Sequence, residues 1–163
     1  MNTGESGIAL LKWIEKLRLL PYDDQTGKKI TAWCKGATTG YGYLIPIGEW
    51  SKYKDGITQE QAESLLLETL TPFEDAISSL VKIRLHQNEF DALILLIYNI
   101  GIQQFSASSL LRMLNDPNII TKFSSIEKAW KAFNKSQGRV NQGLINRRNA
   151  EWDIYSVGLY NTW

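Results

Sequence analysis

Three side chains near the start of the chain could share one chemistry. They are Glu15, Asp24 nine residues on, and Thr38, which opens the stretch "TTGYGYLI". Two carboxylates flanking a glycosidic bond can cleave it, one protonated as general acid and one ionised. The surroundings of Glu15 and Asp24 differ in the required sense. Glu15 stands in "WIEKLRLLPYDD" at a predicted helix end, where the negative pole of the helix and half-burial both favour its neutral form. Asp24 falls in a polar turn that suits a charged carboxylate. A Glu and an Asp at this spacing also occur by chance, and most glutamates are solvated surface residues. The elements around the pair must therefore carry the distinction.

Helical periodicity dominates those elements. On a helical wheel, residues 8–18 place Trp13, Leu17, Leu10, Ile14 and Leu11 on one arc and Lys12 and Lys16 opposite. Glu15 falls beside Leu11 and Ile8, at the boundary of the buried arc. Residues 21–57 change character: they are rich in Gly and Pro, with the short β-friendly pieces "KKITAW" and "TTGYGYLI" between. They predict a small antiparallel sheet with tight turns. Helix resumes at "GITQEQAESLLLETL", where Thr58 and Gln61 form a capping box. "TPFEDAISSLV" repeats that signal with Thr71 as cap and Pro72 in the first turn, so 59–80 is two helices or one kinked at Pro72. "NEFDALILLIYNIG" predicts a buried central helix ending near Gly101. "SASSLLRMLND", "SSIEKAWKAF" with Ser124 as cap, and "LINRRNAEWDIYS" complete the helices.

The fold class is thus α+β, mainly α, with a small antiparallel β-sheet lobe and a larger helical lobe. The expected organisation is a single domain, 1–163. It comprises a β-containing lobe at 15–58, a connecting helical segment at 59–80, and a helical lobe at 81–163 that includes helix 6–18.

Composition narrows the chemistry. One cysteine, Cys34, excludes an internal disulfide, and one histidine, His86, argues against a histidine-based metal site. No metal is expected. His86 suits a surface or capping position. No apolar run approaches membrane-spanning length and no charged-then-apolar leader is present, so no stable membrane insertion is expected. A net charge of +1 gives little steering toward polyanions. Residues 122–148 do carry Lys122, Lys128, Lys131, Lys135, Arg139, Arg147 and Arg148 against Glu127 alone. No recognition motif accompanies them, and no nucleic-acid partner is expected.

At this point the pattern resembles a known family. "GIALLKWIEKLRLLPYDD…TTGYGYLI" is similar to the phage-type lysozymes, or endolysins, the family that includes the T-even phage lysozyme. Glu15, Asp24, Thr38, Gly40 and Gly42 match its motif, with Leu17, Arg18 and Tyr22 between the acids. "FDALILLIYNIG", "FSASSLLRMLN" and "NQGLINRRNAEW" resemble its later segments in order, so the resemblance spans nearly the whole chain. Two departures stand out. The thirteen residues between Asp24 and Thr38, "QTGKKITAWCKGA", exceed what the family usually has. They suggest a longer β-hairpin at 25–37 and leave Thr31 as a rival to Thr38. Tyr43 stands where the family commonly has a histidine that could support Glu15. Asp23 rivals Asp24 at one residue less.

The resemblance implies a lysozyme-like fold and a muramidase without a cofactor. The reaction is hydrolysis of the β-1,4 bond between N-acetylmuramic acid and N-acetylglucosamine in peptidoglycan, with inversion. It gives Glu15 the role of acid and gives Asp24 and Thr38 the nucleophilic water. Leu44, Tyr98 and Ser109 match positions lining the sugar cleft, Arg147 would pair with Glu15, and Tyr43 would support it. The expected partner is the glycan strand, met by a monomer. Action at the cell wall would follow release through a phage holin, or delivery as a toxin domain, in which case an immunity protein is expected. Two other readings compete: a glycan-binding module that has lost catalysis, and lytic transglycosylation, which leaves anhydro ends.

Overall fold

The computed structural model describes residues 1–163, which divide into two compact units, Leu11–Thr71 and Met1–Leu10 with Pro72–Trp163. The elements in chain order are α1 (Glu5–Glu15), β1 (Arg18–Asp23), β2 (Ala37–Gly40), β3 (Tyr43–Leu44), a 3-10 turn at Ile47–Glu49, α2 (Trp50–Tyr53) and α3 (Gln59–Leu80). They continue with α4 (Gln87–Ile100), α5 (Ile102–Ser106), α6 (Ser109–Asn115), α7 (Ile126–Lys131), β4 (Lys135–Ser136), β5 (Arg139–Val140) and α8 (Gln142–Val157). The α+β, mainly helical expectation is met.

In the unit Leu11–Thr71, β1, β2 and β3 form an antiparallel sheet in that order. Tyr22 pairs with Thr38 and Thr38 with Leu44, so these three side chains share one face. Thr39 and Tyr43 pair on the other face. The β2–β3 connection explains the Gly-x-Gly of "TTGYGYLI". Gly40 and Gly42 have φ of 64° and 89°, where a side chain is strained. A Cβ on Gly40 would only touch Ile57 and Ala62, so the constraint there is the backbone angle. The core of this unit is Leu11, Ala37, Tyr41, Ile45, Tyr53, Ile57, Ala62, Leu65, Leu66 and Leu70.

Local differences from the sequence expectation have physical causes. Helix α1 stops at Glu15 because Lys16 adopts the left-handed conformation, φ 54°, and the chain leaves as β1. Trp13, expected on the buried arc, is 46% exposed. "KKITAW" forms no strand. It is an irregular excursion with one bridge, Lys29 to Tyr22, and Trp33 donates its indole N–H to the carbonyl of Ile45 (2.9 Å). The missed strand is β1, "RLLPYD"; Pro21 is tolerated there because β1 lies at the edge of the sheet.

The capping box at Thr58 and Gln61 forms as expected: Gln61 N–H donates to Thr58 Oγ1 (3.2 Å) and Thr58 N–H to Gln61 Oε1 (2.8 Å). Helix α3 runs on through Pro72 as one element. Thr71 caps nothing, and its hydroxyl bonds back to the carbonyl of Leu67.

The other unit is built around α4. Phe90 to Ile97 are all buried, and α8, Trp130 of α7 and Leu110, Leu111 and Leu114 of α6 complete its core. Gly101, φ 86°, ends α4. Ser125, one residue later than expected, caps α7 and accepts from Lys128 N–H. The buried carboxylate of Asp91 accepts Gly4 N–H (2.8 Å) at the start of α1 and the Tyr160 hydroxyl (2.7 Å). Both ends of the chain are thereby tied to α4.

Candidate active site

Glu15 is the last residue of α1 and half-buried, as its sequence position suggests. Asp24 follows β1 in an exposed turn, and Thr38 lies on β2 with 3% of its surface exposed. One backbone group joins the last two. The carbonyl of Gly36 accepts both Asp24 N–H and the Thr38 hydroxyl, each at 2.9 Å. A carbonyl oxygen has two lone pairs, so both are used. Thr31, the rival hydroxyl, is exposed in a bend of the excursion and outside the sheet.

Asp23 and Asp24 separate by their partners. Asp23 Oδ1 accepts Gln25 N–H (3.0 Å) and its Oδ2 accepts the Thr26 hydroxyl (2.9 Å), which spends that carboxylate on the turn. Asp24 Oδ1 accepts only a side-chain amide, from Gln25 (3.0 Å), among its side-chain hydrogen bonds.

Tyr22 brings the acids into one electrostatic neighbourhood. Burial raises the pKa of its phenol most; the cation of Arg18, 4.3 Å from the ring centroid, opposes that, and the negative charges of Glu15 and Asp24 both add to it. Tyr22 therefore stands within the field of both carboxylates, on the sheet face it shares with Thr38 and Leu44. Leu44 is 56% exposed on that face, a position suited to contact with a ligand.

Tyr43 lies on the opposite face and its hydroxyl is engaged elsewhere. It donates to Glu49 Oε2 (2.8 Å), and its ring meets Tyr53 edge-on at 5.6 Å. Burial and the Glu49 carboxylate push its pKa well above the usual phenol value. The hydroxyl expected to support Glu15 is thus directed to Glu49 by the alternation of side chains along β3.

Tyr98, Ser109 and Arg147 belong to the helical unit. The half-buried Tyr98 ring packs on Phe73 at 5.2 Å. Ser109 opens α6 and its Oγ accepts from Arg112 (3.2 Å). Arg147 is buried; within this unit its Nε donates to Glu151 Oε1 and its Nη2 to the carbonyl of Leu95, both at 2.9 Å. Glu151, fully buried, also accepts the Trp130 indole (3.1 Å) and pairs with Arg148 (3.1 Å). Burial pushes Glu151 up, and the two guanidinium groups pull it back. Burial holds Arg148 down to about 10, still cationic at neutral pH.

Sequence reasoning gave no role to Gly36 or Glu151. The spacing of Glu151 from Arg147 and Arg148, four and three residues, was a readable signal for an ion pair on one helix face. Gly36 had none beyond its place in a loop.

Comparison with known proteins identifies the family. The model of the family described as phage lysozyme matches residues 12–151. The endolysin of Bacillus phage PZA is 35% identical over 158 residues, covering 97% of this chain and 56% of that protein. The chain thus spans about half the length of that relative. The endolysin of Salmonella phage P22 is 40% identical over 157 residues, covering 95% of this chain and 98% of the relative. Among solved structures, an endolysin from Escherichia coli O157:H7 phage FAHEc1 superposes with a TM-score of 0.75 at 31% identity, covering 99% of this chain and 98% of that one. The chain belongs to the phage lysozyme family.

Proposed function

We propose that the protein is a muramidase that hydrolyses the β-1,4 bond between N-acetylmuramic acid and N-acetylglucosamine in peptidoglycan. The observation that carries this reading is the convergence of Asp24 and Thr38 on one carbonyl, next to a Tyr22 that feels Glu15 as well. An ionised carboxylate and a hydroxyl oxygen together offer two acceptors for the two hydrogens of one water.

In the reaction, Glu15 gives its proton to the glycosidic oxygen as the bond from C1 breaks. The water oxygen forms the new bond to C1 from the opposite face, and Asp24 takes the proton it releases. The configuration at C1 inverts. Leu44, Tyr98, Ser109 and Arg147 contact or orient the glycan strand, and neither metal nor cofactor takes part.

The protein acts as a monomer at the cell wall. No helix is long and apolar enough to cross a membrane. Release through a phage holin or delivery as a toxin domain would bring it to its substrate, and the second route would call for an immunity protein.

Clearing of purified peptidoglycan by the wild type and by Glu15→Gln tests the proposal. Wild type should clear the suspension and release reducing ends, with loss in the variant on the order of a hundredfold or more. Absence of clearing by the wild type would sink the enzymatic reading in favour of a glycan-binding module. Anhydro ends by mass spectrometry would replace hydrolysis with transglycosylation.

A further inference from the structure

We propose that Gly36 is a positioning residue for the hydrolytic water, an inference that rests on the muramidase reading. Two separate features of this residue carry it.

The first is its carbonyl. It accepts the Thr38 hydroxyl at 2.9 Å in a buried setting. A carbonyl cannot donate, so the Thr38 proton points at Gly36 and the remaining lone pairs of Oγ1 point away. The same carbonyl accepts Asp24 N–H at 2.9 Å, which ties the backbone of the base to that of the hydroxyl. Thr38 is then an obligatory acceptor toward any further partner. A water that donates one hydrogen to Thr38 Oγ1 and the other to the Asp24 carboxylate has its own lone pairs left for attack. Gly36 thus sets the polarity of the water's hydrogen bonds without touching the water.

The second feature is the missing side chain. A Cβ at Gly36 would overlap Oδ1 of Asp24 and stand 2.5 Å from Oδ1 of Asp23. The φ of Gly36 lies outside the left-handed region, so the backbone itself accepts other residues. Space for the carboxylate, not chain conformation, is what requires glycine. The obstructed atoms are also the ends of side chains. Asp23 is anchored by Gln25 N–H and Thr26, whereas Asp24 is held at its carboxylate by an exposed amide. An added methyl group therefore displaces the Asp24 carboxylate most, and also pushes on the Asp23 carboxylate at some cost to its turn bonds.

The prediction is a catalytic defect larger than the small loss of stability from the crowded turn. Gly36→Ala should lower kcat on purified peptidoglycan by on the order of tenfold to a hundredfold, as expected for a displacement of about 1 Å at a reacting group. KM should hold, because the lost interaction acts in the transition state alone. The thermal midpoint should shift by no more than a few degrees. A variant with wild-type kcat, or with a loss carried by KM, would overturn the proposal.

A neutron structure of the unaltered chain supplies the second measurement, independent of any variant's folding. A deuteron on Thr38 Oγ1 directed at the Gly36 carbonyl supports the assignment, and one directed elsewhere overturns it. Failure of the wild type to release reducing ends would instead remove the muramidase reading, with the neutron result still deciding the Gly36–Thr38 geometry.

Discussion

In the unit Leu11–Thr71 the Asp24 carboxylate is exposed and takes a hydrogen bond from the Gln25 side chain. In the unit built around α4 the Glu151 carboxylate is fully buried and takes Trp130, Arg147 and Arg148. The two are the same chemical group under opposite constraints. A carboxylate that must accept a proton from water has to stay reachable by water, so its surroundings can be sparse. One that joins two helices must be dry, and every lone pair left without a partner there is costly. The helical unit spends its charges on cohesion. The sheet unit leaves Asp24 exposed and holds it by the backbone instead.

Asp24→Asn offers the sharpest way to break that contrast. Activity on peptidoglycan should fall by roughly 10²–10⁴-fold, while the thermal midpoint stays at the wild-type value. The neighbouring Asp23→Asn should do the reverse on a small scale, costing up to about 1 kcal/mol through the turn and sparing most of the turnover. Equal activity losses in both variants would merge the two aspartates into one role.

Glu151→Gln tests the other side. Removing the charge leaves two guanidinium groups buried against a neutral amide, and the expected cost is about 3–5 kcal/mol of unfolding free energy. Urea unfolding of the variant measures it. A change below about 1 kcal/mol would mean that the ion cluster contributes little beyond its packing.

The smallest effect is expected at Lys16. This residue sits at φ 54° directly after Glu15, a conformation that penalises side chains other than glycine by about 1–2 kcal/mol. Lys16→Gly should therefore stabilise the chain, by about 1 kcal/mol or less once the added freedom of the unfolded state is counted. A loss of stability would show that the lysine side chain makes contacts that outweigh the strain.

Much of the architecture was legible because it rests on local rules. The 3.6-residue periodicity announced α4, and Thr58 with Gln61 announced the start of α3. Gly40 and Gly42 announced the β2–β3 turn, since only their backbone freedom allows it. The positions of Glu15 and Asp24 were readable for the same reason: one ends a helix and the other lies on a turn that its neighbours specify. Other features depended on groups far apart in the chain. That Thr38 rather than Thr31 joins Asp24 follows from the β1–β2 register, which long-range pairing sets. That "KKITAW" runs irregularly follows from where the Trp33 indole finds its carbonyl. That the Tyr43 hydroxyl meets Glu49 follows from the face β3 turns toward α2. And the need for glycine at position 36 arises from two aspartates twelve and thirteen residues earlier, brought back by the sheet. The sequence by itself determined most of the helices, the β2–β3 turn and the candidate reactive side chains, because propensity and capping act within a few residues. Only the tertiary structure decided which carbonyl, which face and which empty space each reactive group would meet.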